Sequence, residues 1–213
     1  MLPLKPFYII RHGETEHNLA GLVAGGETDS ALTSKGREQP QRLAPYLPDL
    51  PVKPVRIFHS SMSRARDTAT YLNAKLDIDM EEVHDLREHE LGDWGGLSWK
   101  DPQVCFSKDM DAPPNGESSA QFAARVQRAL TYCLDKSQWG EPPLIVCHGG
   151  LFFGIGIMYN VYEAIHVVEN CQLYYFEPHD THPYFPWKIM QYEINGNELI
   201  TSPPPFCATR IAI

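Results

Sequence analysis

Four apolar residues in succession, Phe7-Tyr8-Ile9-Ile10, run without polar alternation into Arg11-His12-Gly13-Glu14-Thr15. A strand with no polar face has to be covered on both sides, which selects an α/β three-layer sandwich with a mostly parallel central sheet and helices on both faces. The same string returns late in the chain, where Leu144-Ile145-Val146-Cys147 leads into His148-Gly149-Gly150. Two such strands in one parallel sheet deliver both histidines to its carboxyl edge, where sheets of this kind bind ligands. Arg11 brings a permanent charge whose planar fork matches phosphate or carboxylate oxygens. His12 brings a base or nucleophile usable near neutral pH, and Gly13 allows a tight turn beside a ligand. Together they suggest an anion site with a reactive imidazole.

A length of 213 residues suits one domain spanning 1–213. With 18 Lys and Arg against 27 Asp and Glu, a net charge of −9, no basic field is available for nucleic acid or an anionic membrane, so phosphate binding has to be local. The five cysteines are odd in number and show no metal-type spacing, and Cys147 sits inside an apolar strand; reduced thiols and a cytoplasmic location are expected. Met1 to Phe7 lacks the basic-then-apolar pattern of a secretory leader, and no apolar run is long enough to cross a bilayer.

Residues 13–33 read as a loop in which Asn18 is either an ordinary turn residue or a donor to phosphate. Thr33 or Ser34 caps a helix over about 34–48, with Leu43 and Leu47 on one face, and Pro40 is expected to kink or shorten it. A strand over 55–58 leads through Ser60-Ser61-Met62-Ser63 into a helix reaching about Leu76. Arg64 falls on its first turn, where free backbone N–H groups attract anions; Arg66, two positions on, points to a different face and serves the surface or a salt bridge. The stretch from Glu81 to Glu90 reads as a solvated loop or edge strand with five carboxylates. Beyond it, Trp94 packs locally and Trp99 is core or pocket wall. A helix opening at Glu117 or Ser118 and ending near Lys136 carries Phe122, Val126, Leu130 and Leu134 as its apolar stripe. Residues 151–159 read as a buried helix under the site. Residues 172–176 and 188–194 read as strands, the second ending in a turn at Asn195-Gly196-Asn197. His179, Asp180 and His182, set among prolines, fit a surface loop better than a metal site, and the Pro203–Pro205 tail is irregular. The aromatic strands around Tyr174 and Trp187 fit either a homodimer contact or a sheet edge covered by that tail.

These segments, in this order, resemble the histidine phosphatase superfamily, which includes the cofactor-dependent phosphoglycerate mutases. Arg11-His12-Gly13-Glu14-Thr15 with Asn18 resembles the family signature, and Leu32-Thr33 followed by Gly36 its next landmark. Ser60-Ser61-Met62-Ser63-Arg64-Ala65 with Thr68-Ala69 resembles the segment bearing the second phosphate arginine. Leu86-Arg87-Glu88, followed by Gly92 and Trp94-Gly95-Gly96, resembles the segment bearing the acid, and His148-Gly149-Gly150 the second histidine motif.

The resemblance implies His12 as nucleophile, with Arg11, Asn18, Arg64, Gly149 and an imidazolium at His148 around the phosphate. It picks Glu88 as the acid, with His89 and Glu90 as alternatives. No metal or other cofactor is required, since the arginines supply the charge. The mutases of this family carry a longer, arginine-rich insertion in place of residues 100–118, whereas this chain has only Lys100 and Lys108 there, and Pro114-Asn115-Gly116-Glu117-Ser118 resembles the phosphatase branch. The activity expected is metal-independent hydrolysis of a small phosphorylated metabolite through a phosphohistidine. The alternatives are a cofactor-dependent phosphoglycerate mutase and a catalytically silent phosphate-ligand binding protein. Phe152 and Phe153, following His148-Gly149-Gly150, favour a substrate whose remainder is neutral or partly apolar.

Overall fold

The computed structural model describes residues 1–161, 168–179 and 185–202. Among them are the strands β1 (Phe7–Arg11), β2 (Ile57–His59), β3 (Met80–Glu82), β4 (Leu144–Cys147), β5 (Leu173–Pro178), β6 (Trp187–Asn195) and β7 (Glu198–Ser202). They form one sheet in the order β3-β2-β4-β1-β5-β6-β7. The first four in that order pair in parallel, and β5, β6 and β7 extend the sheet with antiparallel pairings. The helices are α1 (Glu16–Ala20), α2 (Ser34–Leu43), α3 (Ser63–Asn73), α4 (Ser119–Asp135) and α5 (Gly149–Met158).

Successive side chains of a strand point to opposite faces, and the central strands use both faces for core. Phe7 and Ile9 of β1 join Ile145 and Cys147 of β4 in a cluster with Phe122, Val126 and Leu130 of α4 and Leu151 and Phe152 of α5. Tyr8 and Ile10 join Leu144 and Val146 in a second cluster with Leu43 of α2 and Ala65, Ala69 and Leu72 of α3. The three layers follow directly from strands that carry no polar face.

Several elements differ from the sequence reading for identifiable reasons. Inside the 13–33 segment, α1 is a single turn closed by a capping box between Thr15 and Asn18; one turn is too short to display a period. The α-helical part of α2 ends at Leu43, soon after Pro40, and a 3-10 turn over Ala44–Asp49 completes the span. The strand read over 55–58 lies at Ile57–His59. The last hairpin adds β7 beyond Gly196, whose φ of 62° occupies the region that glycine reaches without strain. Being half exposed along its length, β7 carries no apolar alternation to read.

Tyr174 and Trp187 are buried within the chain, Trp187 against Phe7 and Phe176. Their strands pair internally, β5 with β1 and β6, and β6 with β5 along its first six residues and with β7 over Gln191–Asn195. Asp180, His182 and the Pro203–Pro205 tail lie outside the described residues. Among those described, no helix is long and apolar enough to cross a membrane.

Candidate active site

The register of β1 on β4 pairs Arg11 with Cys147, and His12 N continues the ladder to Cys147 O at 2.9 Å. His12 and His148 therefore leave adjacent strands together, with ring centroids 5.1 Å apart. Gly13 turns the chain where a Cβ would stand 2.1 Å from Gly36 O, so only glycine lets the start of α2 approach. His12 Nδ1 lies 2.7 Å from Gly13 O. A carbonyl can only accept, so Nδ1 carries the proton and Nε2 presents a lone pair. Burial, reinforced by the positive charges of Arg64 and Arg11, holds the His12 pKa well below its ordinary value. The ring is neutral near pH 7.

His148 has both nitrogens engaged. Arg64 Nε donates to Nδ1 at 3.2 Å, and Nε2 lies 2.8 Å from Ser60 Oγ. Arginine has no acceptor to offer, so Nδ1 is the bare nitrogen and Nε2–H donates to Ser60. Burial, then the charge of Arg64, pushes the His148 pKa well below the ordinary imidazole value. The expected imidazolium is thereby corrected: a further cation beside two buried guanidiniums would be unfavourable, and the ring is neutral.

Arg64 is itself 1% exposed. Its Nη1 donates to Thr28 O at 2.9 Å and meets Asp29 Oδ1 at 3.3 Å, while Nη2 makes two long contacts of 3.4 Å to Ala24 O and Gly25 O. Arg66, by contrast, is exposed and pairs with Asp67 at 3.0 Å, in agreement with its expected surface role. Arg11 Nη1 donates to Val168 O at 2.7 Å, and its Nε is buried with no hydrogen-bond partner among the described residues. A Cβ on Gly149 would sit 3.6 Å from that Nε, which puts the start of α5 beside the guanidinium. Asn170 Nδ2 reaches both His12 O and Asn18 Oδ1 at 3.0 Å. Asn18 Oδ1 also accepts from Thr15 N at 3.2 Å, so the donors on Asn18 Nδ2 are used by neither contact.

Glu88 joins the cluster from the loop after β3. Its Oε2 accepts from Gly150 N at 3.1 Å and its Oε1 from His89 N at 2.8 Å, which anchors the carboxyl group on the first turn of α5. A Cβ on Gly150 would stand 1.9 Å from Oε1. The two alternatives are placed otherwise: Glu90 pairs with Arg87, and His89 donates through Nε2 to Glu117 O at 2.9 Å while stacking on Phe122.

Arg125 of α4, which has no place in the sequence reading, holds this loop in position. Its Nη1 donates to Asp85 O at 2.9 Å and Arg87 O at 2.8 Å, and its Nη2 to Glu88 O at 2.9 Å and to the Glu117 carboxylate. Glu117 in turn accepts from Glu90 N at 3.0 Å. The only sequence signal for this device is an arginine three residues after Phe122 and next to Val126, on the buried flank of an amphipathic helix.

Arg11, His12, Arg64, Glu88, His148 and Gly149 thus converge at one sheet edge, with Asn18 joined to them through Asn170. A family model of the histidine phosphatase superfamily (branch 1) matches residues 7–185. A metal-independent phosphoserine phosphatase of Arabidopsis thaliana is 36% identical over 159 residues, 69% of this chain and 65% of that protein; the chain spans about two thirds of the length of such relatives. An adenosylcobalamin/alpha-ribazole phosphatase of Salmonella typhimurium is 33% identical over 153 residues, covering 68% of this chain and 74% of that one. The structure of a mycobacterial glucosyl-3-phosphoglycerate phosphatase superposes with a TM-score of 0.72 at 24% identity, over 87% of this chain and 97% of that one, a likeness of fold. With both strand-end histidines inside the matched span, the chain belongs to the histidine phosphatase superfamily, branch 1.

Proposed function

We propose that the protein hydrolyses small phosphomonoesters without a metal, through a phosphohistidine at His12. The observation that carries this reading is the 2.7 Å contact of His12 Nδ1 with Gly13 O, which assigns the proton to Nδ1 and leaves Nε2 as a neutral nucleophile under the influence of the Arg64 and Arg11 charges. Nε2 attacks phosphorus in line while Arg11, Arg64, Asn18 and the Gly149 backbone hold the non-bridging oxygens, and the bond to the alcohol oxygen breaks. Glu88 enters this step protonated and gives that oxygen its proton, leaving a carboxylate. Water then attacks the phosphohistidine, Glu88 takes the water's proton, and the P–N electron pair returns to Nε2 as phosphate leaves. His148 takes part as a neutral ring that orients Arg64 through its Nδ1.

Water as the acceptor, rather than a second substrate alcohol, is supported by residues 100–118, which contain no arginine to grip a phosphoglycerate carboxylate. Related proteins named as phosphatases support the same reaction class. A reducing cytoplasm as the site of action is supported by Cys133 and Cys147, both buried as free thiols whose pKa values burial raises.

The test is hydrolysis of p-nitrophenyl phosphate and a panel of small phosphomonoesters in the presence of a chelator, with His12→Ala beside the wild type. Activity that survives the chelator and disappears in the variant is expected. Full activity in His12→Ala, or activity lost to chelation, would overturn the mechanism.

A further inference from the structure

The alcohol oxygen that receives the proton of Glu88 must come within about 2.6–3.2 Å of its carboxyl, so the remainder of the alcohol begins next to Glu88. That carboxyl is fixed at Gly150 N. Phe153 follows Gly149 and Gly150 by four and three residues and lies on their face of α5. Helical side chains lean toward the helix N-terminus, which here is the phosphate corner. Phe106, from the segment before α4, meets Phe153 with ring centroids 4.6 Å apart. Trp99 stands edge-on to Phe106 at 6.2 Å, and His89, adjacent to Glu88 in the chain, lies 5.5 Å from Phe106 on another side.

His89 completes this wall as a neutral ring. It stacks on Phe122 at 4.4 Å, and its burial lowers its pKa. Phe152 takes no part, because it turns into the core against Tyr174. Trp99 and Phe106 are 48% and 36% exposed. Large apolar rings held at a protein surface gain stability when something covers them. The wall borders the acid, since His89 follows Glu88 in the chain and stacks on Phe122, whose ring lies 3.2 Å from a Cβ placed on Gly150, and the alcohol half of the substrate is the group that this position brings against it.

Resting on the phosphatase reading, we propose that Phe106, Phe153 and Trp99 form the leaving-group subsite and select monoesters of apolar alcohols that carry a flat ring one or two carbons from the ester oxygen. The spacing follows from the helix: Phe153 is about one turn, roughly 5.4 Å, beyond the glycines that hold the acid and the phosphate.

Ethyl phosphate and 2-phenylethyl phosphate test the subsite, because their alcohols make the same demand on Glu88 and differ in the ring. The wild type is expected to favour the phenyl ester in kcat/KM by roughly tenfold or more, the effect of covering one ring's apolar area. Phe106→Ala, at an exposed position, is expected to lower that ratio by about threefold, and Phe106→Ala with Phe153→Leu by about tenfold. The ratio cancels any general damage to the enzyme. Hydrolysis of both esters at a wild-type ratio near one, or a ratio that the substitutions leave unchanged, overturns the subsite and leaves the phosphatase reading standing. If the wild type hydrolyses neither these esters nor p-nitrophenyl phosphate, the phosphatase reading falls and the subsite falls with it.

Discussion

His12 and His148 each follow a buried parallel strand and precede a glycine, on neighbouring strands and 5.1 Å apart, yet their rings are held in different ways. His12 is fixed through Nδ1 by a backbone carbonyl, and Nε2 is left to react. His148 is gripped at both nitrogens, by Arg64 on one side and Ser60 on the other. The strand-His-Gly string determines where a ring arrives. What the ring can do there depends on residues from elsewhere in the chain, and in the reaction proposed above the guanidinium at Nδ1 leaves the second histidine to orient Arg64 rather than to attack.

The largest expected effect separates the two rings directly. His12→Ala should lower kcat by about 10⁴-fold or more and abolish any phosphoenzyme trapped by acid quench of labelled substrate. His148→Ala should lower kcat by only about 10²-fold and still accumulate phosphoenzyme. A His148→Ala protein with no trapped phosphate would break the comparison.

The glycines of the two corners should separate next. At Gly150 a Cβ collides with the movable end of Glu88, at 1.9 Å, whereas at Gly13 it collides with the Gly36 backbone, at 2.1 Å. Gly150→Ala is therefore expected to reduce hydrolysis of alkyl phosphates by about 10²-fold with little change in Tm. Gly13→Ala should instead destabilise the fold by about 1–3 kcal/mol, read from denaturant midpoints. The opposite pattern would show that the acid is not held at Gly150.

A smaller effect is expected at Arg125, which acts through Glu88. Arg125→Lys loses the fork that grips three carbonyls at once, and kcat for alkyl phosphates should drop by about tenfold. Because p-nitrophenolate leaves without much help from an acid, the drop with p-nitrophenyl phosphate should be under about threefold. Equal losses on both substrates would mean that Arg125 only supports the fold.

The smallest effect is in pH dependence. Burial depresses both imidazoles below their ordinary value of 6.5, so below that pH the unfolded chain binds more protons than the folded one. Stability should be flat with respect to these groups above pH 6.5 and should fall as the pH drops beneath it, by at most about 1.4 kcal/mol per pH unit for each ring. Urea titrations at pH 7.5 and 5.5 check this, and His148→Gln should flatten the slope. A slope of the opposite sign would mean that the rings are charged in the folded protein.

The two corners could be read from the chain because each is a local string: an apolar run, a histidine and a glycine, with Arg64 placed by its position on a first helical turn. The resemblance chose Glu88 among five neighbouring carboxylates, and the bond from Gly150 N gives a physical reason for that choice. The charge on His148 could not be read, since it depends on Arg64, 84 residues away in sequence. Arg125 escaped for a similar reason, because its carbonyl partners lie 37 to 40 residues away and any residue type has a carbonyl. The strand β7 escaped because a half-exposed edge shows no alternation, and α1 because one turn has no period.

The pairing of β1 with β4 also has a consequence in time. Tyr8 waits for Leu144 and Arg11 for Cys147, so the first strand is synthesised long before its parallel neighbour exists. At about 5–20 residues per second, an apolar strand ending in a reactive histidine stays unpaired for on the order of ten seconds on the ribosome. No nascent chain that stops short of His148 holds both rings, so catalytic activity appears only after β1 has closed on β4, and turnover becomes a direct reporter of that closure.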